Sequence, residues 1–280
     1  MAGGPHRGLH ASLRQIHAAI EIFNVEVQGI GVGIAGIIDS NRGIVRYSPN
    51  MPGWENINLA DILEKKYRIP VCVLNDVNAA CLGEWQYGAA QDRDDVFMLT
   101  VGTGVGGAAV CAGSLQFGAH GFAGEIGHMI IKHDGRKCVC GNRGCLESYV
   151  GARPMITLAR KFMRSQRSSL QKYARMTPKI VAQEARKGDR VSGRVFSQIG
   201  YYLGVGITSI IHLYDPEVVI VSGGISKAGK ILFDPIRKTV KERVMGGSFR
   251  DCKIVPPKLK DNAGILGAVY FARNKKQLRG

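Results

Sequence analysis

The sequence predicts an α/β protein. Short runs rich in β-branched residues alternate with stretches whose apolar residues recur at helical spacing. Glycine marks the junctions, and 280 residues suffice for one large domain or for two lobes with a cleft between them. The 37 glycines make up about 13% of the chain, nearly twice the usual share of roughly 7%. They follow no Gly-X-Y period, which excludes a collagen.

Each element has a local reason. The first ten residues are Gly-rich and read as structureless. Ser12 is placed to cap a helix, with Gln15 completing a capping box. Leu13, Ile16, Ile20 and Phe23 then supply an apolar stripe. Residues 29–38 read as one buried strand, and the polar turn 39–43 returns the chain as a strand over 44–47. A short helix ends over 62–67, Pro70 starts a strand over 71–74, and a helix follows through 79–85. Strands over 96–101 and 107–111 come next, and 153–214 is mostly helical. A strand over 218–221 closes on Gly223 and Gly224, residues 254–255 open the last strand, and 264–273 is the final helix.

The net charge is +16, with mean hydropathy near zero. Twelve basic residues against two acidic ones, Glu184 and Asp189, lie between 153 and 194. Further clusters are Arg237, Lys238, Lys241 and Arg243, then Arg273, Lys275, Lys276 and Arg279. Few aromatics interleave with them, so base stacking gains little support and these charges read as solvated helix faces. A nucleic-acid partner is therefore not expected. The longest apolar run, 29–38, is half of the roughly 20 residues a bilayer requires, and no signal-peptide core precedes it. No membrane partner is expected, and the expected location is cytoplasmic.

Three of the seven cysteines lie within eight residues. With His128 they form the pattern His-x9-Cys-x-Cys-Gly-x-x-Gly-Cys: His128, Cys138, Cys140 and Cys145. Three thiolates and one imidazole suit tetrahedral zinc, and Gly141 and Gly144 permit the tight turns that fold them round one ion. Four protein ligands leave no open position, so the zinc is expected to be structural. Cys72, Cys81, Cys111 and Cys252 sit in apolar segments and read as core.

Residues 102–107 (Gly-Thr-Gly-Val-Gly-Gly) and 31–36 match Gly-x-Gly-x-x-Gly by letter, but neither opens a helix, so a dinucleotide fold is rejected. The first reads as a hairpin turn whose backbone N–H groups can cradle phosphate, with Thr103 adding a hydroxyl. Asn75 and Asp76 follow the apolar strand at 71–74, where open α/β sheets place ligand groups; Asp76 equally suits a helix cap. Glu125 stands three residues before His128, and Glu147 two after Cys145. A zinc loop would fix both carboxylates, whose acceptor oxygens suit a polyhydroxyl ligand.

Residues 99–107 (Leu-Thr-Val-Gly-Thr-Gly-Val-Gly-Gly), 118–128 (Gly-Ala-His-Gly-Phe-Ala-Gly-Glu-Ile-Gly-His) and 138–147 (Cys-Val-Cys-Gly-Asn-Arg-Gly-Cys-Leu-Glu) resemble the ROK family of repressors, open reading frames and sugar kinases. The similarity extends through 49–54 (Pro-Asn-Met-Pro-Gly-Trp), 75–80 (Asn-Asp-Val-Asn-Ala-Ala), 215–217 (Asp-Pro-Glu) and 222–224 (Ser-Gly-Gly), and the chain looks most like bacterial glucokinases. The resemblance implies the two-lobed, ribonuclease H-like fold of actin, Hsp70 and hexokinase. Its smaller lobe would be 1–95 plus 265–280 and its larger lobe 96–264.

The same resemblance implies ATP with Mg²⁺ as co-substrate, a hexose in the cleft with glucose foremost, and a homodimer or homotetramer. Asp76 matches the catalytic base. Gly36, Asn75, Asp76, Glu125, His128 and Glu147 match sugar-binding positions, Gly102, Thr103 and Gly104 the phosphate hairpin, and Gly223 and Gly224 the nucleoside contact. One feature departs from the family. Its kinases begin with an Asp-x-Gly-Gly-Thr-Lys hairpin that holds ATP phosphates, and nothing before Gly29 reads Asp-x-Gly-x-Thr. The first lobe is thus expected to be N-terminally truncated and phosphoryl transfer impaired. The competing expectation is a non-catalytic sugar sensor related to the family's repressors.

Overall fold

The computed structural model describes residues 8–22, 26–48, 51–247 and 251–274; the expectations placed on residues 1–7, Phe23, Pro49, Asn50, Lys275, Lys276 and Arg279 lie outside the described residues. The elements run α1 (Leu9–Glu21), β1 (Ile30–Ile34), β2 (Ile37–Asp39), β3 (Ile44–Tyr47), β4 (Glu55–Asn58), α2 (Leu59–Tyr67), β5 (Val71–Asn75) and α3 (Asp76–Tyr87). Then come β6 (Val96–Val101), β7 (Val105–Cys111), β8 (Ser114–Leu115), α4 (Glu147–Val150), α5 (Ala152–Met163), α6 (Pro178–Arg186) and α7 (Arg190–Tyr214). The chain ends with β9 (Val218–Ser222), α8 (Lys230–Arg243), β10 (Lys253–Val255) and α9 (Ala263–Asn274).

These elements sort into two compact units. Of the described residues, the first holds those up to Asp92, the segment Gly113–Ala123 and those from Leu259 onward; the second holds those of Arg93–Ala112 and Gly124–Lys258. The segment 113–123 groups with the first unit, whereas the division drawn from sequence assigned it to the larger lobe.

In the first unit β1 and β5 pair in parallel, from Ile30↔Val71 to Ile34↔Asn75, and β2-β3-β4 form an antiparallel sheet. The single strand expected over 29–38 is therefore two. Gly36, at φ 135°, turns the chain between them, and a side chain there would collide with the carbonyl of Tyr47. Val45, Trp54, Leu59, Leu63 and Val73 form the core beneath. Helix α1 lays Leu9, Leu13, Ile16 and Ile20 on it. That helix starts behind Gly8 with no side-chain cap, three residues before the cap expected at Ser12. Leu9 adds one more turn of apolar stripe, and tertiary packing of that stripe outweighs cap chemistry.

Helices α3 and α9 pack through small residues. A Cβ at Gly267 would strike the carbonyl of Ala79, and one at Gly83 the carbonyl of Ala263. Helix propensity alone would favour Gly267→Ala by about 1 kcal/mol. The collision is with backbone, which cannot swing aside, and overpacking of this kind costs about 1–3 kcal/mol. Gly267→Ala is accordingly expected to lower the melting temperature, and an unchanged or raised value would contradict this packing.

In the second unit the strands run β10-β9-β6-β7, with β9 parallel to both β10 and β6, and β6 antiparallel to β7. The turn at 102–104 thus joins two antiparallel strands, as the hairpin reading requires. Helix α7 is the central support, buried along Val195, Ile199, Leu203, Ile207 and Ile210. All twelve basic side chains between 153 and 194 are exposed. Lys172 and Lys187 pair with the shielded carboxylate of Glu184, whose pKa these partners, Ser169 and Tyr173 lower to about 2. Cys72 and Cys81 are buried as expected, but Cys111 and Cys252 are only half-buried, packing at the margin of the second unit's core. No described helix is long and apolar enough to cross a membrane.

Candidate functional site

Each unit carries its own set of candidate groups, and in each some of them stand at the carboxyl ends of parallel strands, where α/β sheets expose ligand groups. In the first unit β1 and β5 end together at Ile34↔Asn75. Asn75 caps α3: its Oδ1 accepts from the amides of Val77 (2.8 Å) and Asn78 (3.2 Å). Its Nδ2 donates to the carbonyl of Gly36 at 2.9 Å. One side chain thereby binds the glycine turn to the strand-to-helix junction and orients Asp76. The cap is Asn75, so Asp76 is released from that role. Its Oδ1 accepts from its neighbour, the Val77 amide, at 3.0 Å.

Asp76 keeps access to solvent, yet protein surrounds it closely. Lost hydration raises its carboxyl pKa above the ordinary aspartate value, against the opposing pull of the Val77 amide. A raised pKa brings a carboxylate nearer the working range of a general base.

In the second unit β6 and β9 end together at Thr100↔Ser222. The hairpin turn follows β6, with Thr103 exposed and Gly102 facing open space. The Gly223–Gly224 turn follows β9; Gly223 packs against the backbone of Val101, and the Ile225 amide donates to the Val101 carbonyl at 3.1 Å. Gly102, Thr103, Gly104, Gly223 and Gly224 are therefore brought to one end of this sheet.

Glu125 precedes a single 3-10 turn, Ile126–His128, which seats on β7 through the close approach of Gly127 to Val105. Glu125 is exposed and His128 half-buried. Glu147 opens α4, and its Oε2 accepts from the Val105 amide at 2.9 Å.

The ligand atoms of His128, Cys138, Cys140 and Cys145 all lie within 4.8 Å of one another. Cys138 Sγ is 3.7 Å from His128 Nδ1, and Cys140 Sγ is 3.7 Å from Cys145 Sγ. A tetrahedral zinc with ordinary bond lengths separates its ligand atoms by about 3.5–3.8 Å, so the donors present fit a dication of that size. Gly144 turns the loop at φ 81°, where a Cβ would strike the Lys132 carbonyl. Burial raises the Cys138 thiol, but bonds from the Cys140 amide, Ser148, the Cys140 thiol and His128 outweigh it and bring it down to about 7. At Cys145 burial and the neighbouring thiols act together and push it up to about 12. A cation among them would favour the thiolate form of Cys145 against that burial. His128 faces the cluster through Nδ1, which leaves Nε2 for other use.

Two roles differ from the expectations drawn from the sequence. Asn75, not Asp76, is the helix cap, although Asn and Asp cap equally well and Asn75 stood first after the strand. The bond from Val105 to Glu147 spans 42 residues and has no local signature. A cavity of about 900 Å³ lies elsewhere in the second unit, lined by Ile211, Val240, Val244, Lys241 and Lys253 among others. Among the described residues its lining offers no carboxylate or amide side chain to accept from hydroxyl groups.

The profile of the ROK family matches residues 5–275. A glucokinase of Thermotoga maritima is 38% identical over 255 residues, covering 89% of this chain and 80% of that protein. A xylose repressor of Caldicellulosiruptor bescii is 32% identical over 247 residues, covering 87% of this chain and 62% of the repressor. The crystal structure of a ROK glucokinase from Streptomyces griseus, in complex with glucose and AMPPNP, superposes with a TM-score of 0.83 at 33% identity, over 95% of this chain and 89% of that one.

Proposed function

The chain belongs to the ROK family and has the two-lobed fold of its sugar kinases, and from that premise we propose that it is an ATP-dependent hexose kinase that converts glucose and ATP to glucose 6-phosphate and ADP. The observation that carries the reading is Asp76: free of capping duty, fixed by Asn75 at a strand end, with its pKa raised by its surroundings. As base it accepts the proton of the sugar's primary hydroxyl while that oxygen bonds to the γ-phosphorus. The bond from the γ-phosphorus to the β–γ bridging oxygen breaks, and ADP leaves. Magnesium bound with ATP would neutralise phosphate charge.

The remaining roles follow from which atoms are already used. His128 Nε2, the Glu125 carboxylate and Glu147 Oε1 are assigned to sugar hydroxyls, since His128 Nδ1 and Glu147 Oε2 are engaged. Both lone pairs of Asn75 Oδ1 serve the cap, so Asn75 can offer the sugar only its second N–H. Gly36 has its carbonyl occupied by Asn75 and would line the sugar by its backbone. Gly102, Thr103 and Gly104 are assigned to ATP phosphates, Gly223 and Gly224 to the nucleoside. His128, Cys138, Cys140 and Cys145 would hold a structural zinc that keeps the loop rigid.

ADP release measured with glucose, N-acetylmannosamine, fructose and xylose tests the reading. Glucose is expected to give the highest kcat/KM. Xylopyranose lacks the exocyclic primary hydroxyl and is expected to inhibit without turnover. The acid limb of the kcat/KM profile should lie above the ordinary aspartate pKa, activity falling as pH drops through it, because Asp76 must be ionised to take a proton. The repressor relative supports a second reading, a sugar sensor without catalysis. Sugar-dependent thermal stabilisation with no ADP release from any hexose would favour that reading.

A further inference from the structure

Glu147 stands where three segments of the second unit meet. It begins α4, which has only four residues and cannot hold its own position. Its place is fixed from the cluster side: Cys145 lies two residues earlier, the Leu146 amide donates to the Met129 carbonyl at 2.9 Å, and the Ser148 amide donates to the Cys145 carbonyl at 3.0 Å. From the other side its Oε2 accepts from the amide of Val105, the first residue of β7, which pairs with Val101 across the turn. Gly104 lies so near that a Cβ there would come within 2.5 Å of Glu147 Oε2. Just beyond α4, the Ala152 amide donates to the Gly102 carbonyl at 2.9 Å, and Gly151 packs on the Thr103 carbonyl. The turn at 102–105 is therefore strapped to the segment that leaves the cluster.

We propose that Glu147 is a positioning residue through which the Cys/His cluster holds the glycine hairpin in shape. A carboxylate accepting a backbone N–H makes a charge-assisted bond, stronger than a neutral one. A carboxylate beside a phosphate loop repels the ligand less when a backbone dipole partly offsets its charge, and here Oε2 is aimed at the amide. A metal ion held by His128, Cys138, Cys140 and Cys145 would close the 128–145 loop on itself, and that rigidity would reach the hairpin through Cys145, Leu146 and Glu147. The hairpin's assignment to phosphate rests on the proposed kinase reading; its mechanical dependence on the cluster does not.

Amide hydrogen exchange on the full chain, without sugar or nucleotide, tests this directly. Stripping zinc with a chelator is expected to speed exchange at Val105 by about ten- to a hundredfold, the factor for losing one hydrogen bond to a charged acceptor. Glu147→Ala, with zinc content unchanged, is expected to do the same and to raise the KM for ATP, besides the rise in KM for glucose that follows from losing Oε1. Glu147→Gln should restore slow exchange, because a carboxamide oxygen accepts the same N–H. Val105 exchange unaffected by Glu147→Ala, or equally fast in Glu147→Gln, would overturn the proposal even if the stripped protein unfolds. Absence of kinase activity alongside the expected exchange pattern would count against the function and leave the coupling standing.

Discussion

Asp76→Asn is expected to lower kcat for glucose phosphorylation by about 10²–10⁴, the usual range for losing a positioned base. That is about 3–5 kcal/mol of transition-state stabilisation. The KM for glucose should change little, since the amide oxygen can keep the bond from Val77 and still meet a hydroxyl. Stability should not suffer either. The cap belongs to Asn75, and an aspartate whose folded-state pKa is raised destabilises the fold once ionised, an effect that disappears as pH falls through that pKa. A neutral asparagine removes that term, so the variant's melting temperature at neutral pH is expected to equal or slightly exceed the parent's. Asn75→Ala provides the contrast. It removes a helix cap worth about 0.5–2 kcal/mol and unties Gly36, so it should lose both stability and activity. Thermal melts beside steady-state kinetics for the two variants separate base from scaffold; equal destabilisation in both would remove the distinction.

The second large effect is expected at the cluster. Cys140 is the exposed member of the four, so Cys140→Ser sacrifices almost no packing. Whatever stability it loses therefore reports the metal. Metal analysis should fall from about one zinc per chain toward none, with a loss of several kcal/mol, well below the roughly 10–16 kcal/mol of a zinc-finger peptide because the second unit has its own core. Cys111→Ser, half-buried and outside the cluster, should leave zinc content unchanged. Zinc retained at full stoichiometry in Cys140→Ser would contradict the four-ligand site.

Legibility from sequence followed the range of the interaction. The cluster was readable because three of its ligands lie within eight residues and thiolate chemistry leaves few alternatives. The hairpin at 102–107 was readable because the glycines continue into an apolar run that could only be a returning strand. Local rules failed where longer contacts decided the outcome. Ser12 has capping chemistry, but the stripe extended by Leu9 moved the helix start. The apolar run 29–38 looked continuous because a glycine at φ 135° is, by composition, indistinguishable from a glycine in a strand. The division of labour between Asn75 and Asp76 depended on Gly36, 39 residues away. The bond from Val105 to Glu147 likewise required the folded second unit.

Phosphorus NMR of the protein with glucose and Mg·ATP tests most directly whether this chain transfers phosphate to a sugar. A new phosphomonoester on the primary hydroxyl is expected, formed in step with ADP and reduced at least a hundredfold in Asp76→Asn. Glucose binding without any sugar phosphate, or product formation undiminished in Asp76→Asn, would contradict it.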